Sequence, residues 1–388
     1  MNILRFLSIA AVAAGVSLMS LGADRFAPLP AGAVRLEGEL GRAINLTIAN
    51  RLKKVDYVKL VDPFRYRNES DSCWRCEFWG KIVRSTVSAY RYTADPVLKA
   101  ILDATVQDLI ATQTPEGRIT SYPKDQQLTY WDLWGRKYVL LALVRYCEEV
   151  ERNPKVVEAV LKMTDDLIRT IGNAPGKKDI LDCGAPEHGG LPASSVLCAI
   201  VDVYRLTKEP RVLEFAKYIA ARGCSKRGDI VAAALKGVPP TDLGNGKAYE
   251  LTSCFRGLAA LDRFASDADV EKAIAAYRDA VAVREIMIHG TGGARDAGGE
   301  YWDNGAFKQT LDAGGSVRFG ETCITTEWIR YNDELLRLFG GAAAANDLEK
   351  SFYNALLGAF TKDCSNCTHG NPAPLGKADS GLRGYCCG

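Results

Sequence analysis

The chain has no excess of either charge: 49 Lys and Arg stand against 47 Asp and Glu, a formal net charge of +2 over 388 residues. That balance removes the electrostatic motive for binding nucleic acid or an anionic membrane surface. After the first twenty residues no apolar run approaches membrane-spanning length. Outside the segment leading into the first helix there is no sustained alternation of apolar and polar residues, which argues against a β-sheet core. Histidine is scarce, at three residues. What remains is an ordinary globular composition on a chain long enough for one large domain or two smaller ones.

The first residues differ from the rest. Arg5 precedes an apolar run from Phe6 to Met19, small residues follow at Ser20 and Gly22, and then come Asp24 and Pro28. This is the order of a secretory signal peptide, 1–22, cleaved near Gly22 or Ala23. The alternative is an uncleaved anchor, for which the run is short. The mature chain is therefore expected to be exported, periplasmic or extracellular, with no membrane association after cleavage. Export sits uneasily with twelve cysteines, because oxidising compartments favour disulfides and a domain this large does not need them.

From Trp79 onward apolar residues recur at helical spacing. Helices are expected over 82–91, 97–112, 138–150, 156–171, 194–206, 212–222, 249–264, 269–286, 325–339 and 345–360. Thr93-Ala94-Asp95-Pro96, Asn153-Pro154, Lys208-Glu209-Pro210 and Ser266-Asp267 separate them. Helices joined in pairs by short Asp/Pro turns and punctuated by Gly-rich loops suggest an all-α fold, an (α/α)6 toroid, over 79–388. A segment over 23–78 would pack on this barrel. The long loops (173–190, 223–246, 289–318 and 361–384) would gather at one end, where sites usually sit.

Two short segments carry the most pointed chemistry. Tyr385-Cys386-Cys387-Gly388 holds vicinal cysteines, and Gly320-Glu321-Thr322-Cys323 holds a carboxylate and a thiol two positions apart. Glu321, Cys323, Cys386 and Cys387 offer three sulfurs and one oxygen, a tetrahedral donor set for zinc. A zinc-bound cysteine is a thiolate at neutral pH and can serve as a nucleophile. A vicinal disulfide or unrelated buried thiols are the alternatives on spacing alone. Cys73/Cys76 and Cys364/Cys367 are further CxxC pairs, read as structural, while the isolated cysteines 147, 183, 198, 224 and 254 are expected to pack as small apolar groups.

Several motifs, taken together, resemble glycoside hydrolase family 127, the β-L-arabinofuranosidases and their relatives. They are Trp79-Gly80-Lys81, Glu187-His188-Gly189-Gly190, Thr291-Gly292-Gly293 with Gly299-Glu300, Gly320-Glu321-Thr322-Cys323, and Cys386-Cys387. They occur in the family's order and span roughly 34–388. The resemblance implies zinc held by Glu321, Cys323, Cys386 and Cys387, Cys386 as nucleophile, and Glu300 as general acid/base. It implies a carbohydrate substrate contacted by His188, with His369 matching a further sugar-contacting position more loosely. Trp131, in Trp131-Asp132-Leu133-Trp134, is a candidate for the sugar-facing wall.

The resemblance has departures. Lys137 stands where the arabinofuranosidases place a sugar-contacting histidine, and Leu191-Pro192-Ala193 follows the His-Gly-Gly loop in place of Met-Asn-Glu. The implied catalytic set is intact while the sugar-contacting shell is changed, so a different sugar is open. Family members continue past the cysteine pair with a closing helix and β-sandwich domains. The chain is thus expected to lack the barrel's last helix and to carry no β-sandwich. The rival to a glycosidase is an exported helical toroid that binds carbohydrate or protein, with its cysteines in structural zinc or disulfides.

Overall fold

A computed structural model describes residues 24–69, 74–293, 300–308, 320–361 and 363. The signal region, Cys73, Cys364, Cys367, His369, Cys386 and Cys387 lie outside the described residues.

Helix boundaries fall at the break signals. Asp95, Asn153 and Asp267 accept first-turn backbone N–H groups, from Val97 at 2.8 Å, Lys155 at 3.0 Å and Asp269 at 2.9 Å. Pro96 and Pro154 occupy the first helical positions, where a missing N–H costs nothing. Ala94 and Lys208 end the preceding helices in the left-handed conformation, satisfying a last-turn carbonyl before the chain reverses. The sharp reversals between helices are therefore local.

The elements in order are α1 (Gly38–Thr47, continued by a π turn Ile48–Leu52), α2 (Tyr57–Tyr66), α3 (Glu77–Thr93), α4 (Pro96–Ile110), α5 (Asp132–Glu149) and α6 (Pro154–Thr170). Then come the short α7 (Leu191–Ser194), α8 (Leu197–Thr207), α9 (Pro210–Ala221), the short α10 (Ile230–Leu235) and α11 (Ala248–Asp262). The series ends with α12 (Ala268–Arg284), α13 (Thr322–Phe339) and α14 (Ala342–Lys350), followed by a π turn Ser351–Leu356. Among the described residues β-pairing is confined to isolated bridges, and no helix is long and apolar enough to cross a membrane.

Two layers result. α3, α5, α8, α11 and α13 pack on one another in sequence, and each packs on the helix that follows it in the second layer (α4, α6, α9, α12 and α14). α5 and α11 are buried around nearly their whole circumference, whereas α6 buries one face, as inner and outer helices should. This is the expected toroid. The periodicity does not mark α2, which carries Pro63 inside it.

The Trp79-Gly80-Lys81 motif is explained by this packing. Trp79 is fully buried and its indole N–H donates to Thr105 Oγ1 at 2.9 Å, while Lys81 turns toward the open end of the barrel. A Cβ on Gly80 would lie 2.3 Å from the Tyr138 carbonyl oxygen, and one on Gly135 would lie 2.2 Å from Cys76 Sγ. Helices α3 and α5 thus meet through a glycine on each side. Cys76, Cys147, Cys183, Cys198, Cys224 and Cys254 are all buried free thiols, packed as small side chains.

Candidate active site

Loops and helix starts converge on one cleft of about 340 Å³, the size range of small-ligand pockets. α3 supplies Glu77 and Lys81, which form a buried ion pair at 2.9 Å. The start of α5 supplies Trp131 and Trp134, in edge contact at 5.6 Å, and Trp134 donates its indole N–H to Glu77. The Trp131-Asp132-Leu133-Trp134 stretch is therefore wall. Asp132 itself is buried in a salt bridge to Arg136 at 2.9 Å and accepts from Thr120 and Leu128 N, so it is committed to holding the turn before α5.

His188 lines the cleft from a single 3-10 turn, Pro186–His188, with its ring 5.3 Å from that of Trp131 and its Nδ1 3.4 Å from the Asn245 amide. Burial, reinforced by the charge of Lys247, holds its pKa below the usual histidine value, so it faces the cleft uncharged at neutral pH. Gly189 and Gly190 follow at φ +57° and +90°, and a Cβ on Gly190 would meet the Leu181 backbone at 3.0 Å. The two glycines are what allow the chain to turn His188 inward and dive into α7.

Glu300 is placed by its backbone. Lys247 and Tyr301 pair in an antiparallel bridge, Ala248 N donates to Glu300 O at 2.9 Å, and Trp302 N donates to Gly246 O at 2.9 Å. Trp302 is buried and its indole N–H reaches the Tyr277 hydroxyl at 3.1 Å. On the far side, buried Glu285 accepts the N–H groups of Asp303 and Asn304 at 3.0 and 2.8 Å. The Glu300 side chain, half exposed, points into the cleft and is ion-paired with Lys247.

The glycine-rich loop joins this element to the next. A Cβ on Gly292 would strike the Trp302 ring at 2.7 Å, Glu321 N donates to Gly292 O at 3.0 Å, and a Cβ on Gly320 would overlap the Thr291 side chain. Thr291-Gly292-Gly293 is thus the mortise between Trp302 and the start of α13. Glu321 stands at the N-cap position of that helix and Cys323 sits in its first turn, both lining the same cleft as Glu300.

Of the expected site residues, the fold brings Glu300, Glu321, Cys323, His188 and Trp131 to one cavity. Lys137 lies behind the wall: it is fully buried, its ammonium donates to Ser195 Oγ at 3.1 Å and stacks over the Trp134 ring at 4.1 Å. Burial pushes its pKa down. His369, Cys386 and Cys387 fall outside the described residues.

A carboxylate and a thiol facing one cleft fit half of a zinc donor set. Among the described residues no three His, Cys, Asp or Glu side chains converge as a metal cluster.

Sequence reasoning missed Lys247, Tyr249 and Glu250, which form the floor of the cleft. Lys247 and Glu250 are 4% and 3% exposed and lie 3.5 Å apart. Burial, with the nearby Glu300 charge adding and Lys247 opposing, pushes the Glu250 carboxyl up to about 7. The available signal was a lysine and a glutamate three apart, where the 223–246 loop runs into a helix.

Comparison with known proteins places this geometry. The family described as beta-L-arabinofuranosidase, GH127 catalytic domain, matches residues 44–384. A non-reducing end beta-L-arabinofuranosidase of Bifidobacterium longum is 22% identical over 317 residues, covering 73% of this chain and 46% of the relative. A solved GH127 beta-arabinofuranosidase superposes with a TM-score of 0.68 at 20% identity, over 91% of this chain and 57% of that one. The GH127 beta-L-arabinofuranosidase of Geobacillus stearothermophilus T6 gives 0.65 at 17%, over 87% and 58%. At these identities the structural likeness speaks for the fold, and the chain spans about half the length of these relatives. With its helical toroid and a family match over most of its length, the chain belongs to the GH127 beta-L-arabinofuranosidase catalytic-domain family.

Proposed function

We propose that this chain forms the catalytic barrel of a retaining glycoside hydrolase acting on β-L-arabinofuranosides or a closely related sugar. The observation that carries the reading is the convergence of Glu300 with Glu321 and Cys323 on one aromatic-walled cleft. A proton donor and part of a thiol-bearing ligand set there face a space of monosaccharide size.

In this reading Glu321, Cys323, Cys386 and Cys387 hold zinc, which when bound keeps a cysteine ionised at neutral pH. Cys386 Sγ attacks the anomeric carbon as the glycosidic C–O bond breaks, and Glu300 gives its proton to the departing oxygen. Glu300 then takes a proton from a water whose oxygen displaces the sulfur, restoring thiolate and acid with net retention. Trp131 packs against the sugar and His188, uncharged, contacts a hydroxyl. His369 is a further contact in the same proposal, and Lys137 stiffens the wall through Trp134. The signal-like N-terminus supports an exported protein.

The test is hydrolysis of aryl β-L-arabinofuranosides with NMR of the first-formed anomer, repeated with Cys386→Ser and Glu300→Gln. Retention with both variants inactive supports the mechanism. A fully active Cys386→Ser would sink the thiolate, and sugar binding without turnover would favour a binding toroid.

A further inference from the structure

Glu250 is the oddest group in the cleft. It is 3% exposed, it lines the cavity, and its Oε1 lies 3.5 Å from the Lys247 ammonium. Its Oε2 is buried and has no hydrogen-bond partner among the described residues. A buried carboxyl oxygen left without a partner bears its desolvation penalty uncompensated, and more so if charged, so such an atom at the floor of a cleft points to a ligand donor. Its setting in the first turn of α11 explains how it is held. The backbone there is rigid helix, and Lys247 ties its carboxyl to that of Glu300.

We propose that Glu250 is the specificity-determining residue that grips one ring hydroxyl of an uncharged sugar, with Lys247 fixing that hydroxyl relative to Glu300. This rests on reading the cleft as a carbohydrate site and names the substrate class it takes. A carboxyl oxygen suits a sugar hydroxyl because it can accept the O–H in either protonation state. The lysine between the two carboxyls sets the gripped hydroxyl one ammonium away from the proposed proton donor. Sugar acids are excluded by charge. Both lysines lining the cleft already face carboxylates, Lys81 with Glu77 and Lys247 with Glu250 and Glu300, and Glu187 and Glu321 add further acid groups.

The full chain is titrated with neutral pentoses and hexoses and with D-glucuronate, following the fluorescence of the cleft tryptophans. The tightest-binding sugar is then compared with its monodeoxy analogues against wild type, Glu250→Leu and Glu250→Gln. One analogue is expected to bind wild type about tenfold or more weakly. Glu250→Leu should weaken the parent sugar by the same factor and that analogue hardly at all, while D-glucuronate binds worst throughout. Glu250→Gln, which keeps size and one acceptor, should fall between and keeps the test open if the leucine variant does not fold. Parent-sugar affinity unchanged in both variants, or losses that simply add across all analogues, would overturn the assignment. Binding with this pattern but no hydrolysis sinks the hydrolase reading alone, and hydrolysis with additive losses sinks this one alone.

Discussion

Lys247 pairs with Tyr301 through the backbone and with Glu300 through its side chain, so one residue fixes both the 300–302 segment and the carboxylate it carries. The ammonium also lies over the rings of Trp131 and Tyr301, at 5.7 and 5.4 Å. Lys247→Met is expected to leave the backbone bridge in place and to free the Glu300 carboxylate from its anchor. The expected result is a fall in kcat of about ten- to a hundredfold with a smaller change in KM, since small misplacement of a catalytic group costs rate. Lys247→Arg should recover part of it. Equal effects on kcat and KM in steady-state assays would contradict the positioning role.

Glu285 predicts a pH dependence of stability. Burial raises its carboxyl from 4.5 to about 7, against the lowering effect of the backbone N–H groups it accepts. Between those values the folded protein holds a proton that the unfolded chain has released. The stabilisation is complete below pH 4.5 and is lost as pH rises to about 7, by up to about 3 kcal/mol. Glu250 spans the same window with the same sign. Urea unfolding across that window should therefore show stability declining, and Glu285→Gln should flatten roughly half of that slope. An unchanged slope in the variant would assign the proton elsewhere.

Gly80→Ala should destabilise the barrel. The added methyl meets the Tyr138 carbonyl and Cβ atoms between 2.3 and 2.7 Å away, so α3 and α5 have to part. Overpacking of this kind costs about 1–3 kcal/mol, to be read from denaturant midpoints. Sugar binding should weaken with it, because both helices carry cleft residues at their starts.

Metal analysis of purified, reduced and zinc-loaded protein should find one zinc per chain. On the proposed donor set, Cys323→Ser and Glu321→Gln should each lower zinc affinity strongly, since each would remove one of four ligands, with helix content unchanged by circular dichroism. Zinc retained at wild-type affinity in both variants would remove these residues from the donor set.

The helical pairs and their reversals were legible because they are local: Asp95-Pro96 and Asn153-Pro154 start α4 and α6 with no help from the rest of the fold. The glycines of the Thr291-Gly292-Gly293 and Gly320-Glu321 motifs stood out in the sequence, and two of them are needed for tight contacts, Gly292 with Trp302 and Gly320 with Thr291. Lys247 and Glu250 did not, since a lysine and glutamate three apart at a helix start read as a solvated pair; only tertiary packing desolvates them. Lys137 is the converse case. Its position along the chain matched a sugar contact, but the rotation of α5 turns it behind Trp134, where it braces the wall. The start of α5 at Asp132, ahead of the expected 138, is the same effect, with Asp132 and Arg136 stabilising a first turn that has no apolar periodicity.

Main-chain pairing between 246–248 and 300–302 has one more consequence. The element that presents Glu300 depends on peptide groups and on Trp302 beneath them, and hardly on the side chains lining the cleft. Apart from Lys247, whose ammonium holds the carboxylate itself, those side chains can be exchanged one at a time without disturbing the backbone that carries the glutamate. For evolution or for an engineer, the segment that carries Glu300 and most of the cleft's lining can then vary separately, so changes of lining can be screened on this barrel with that segment left in place.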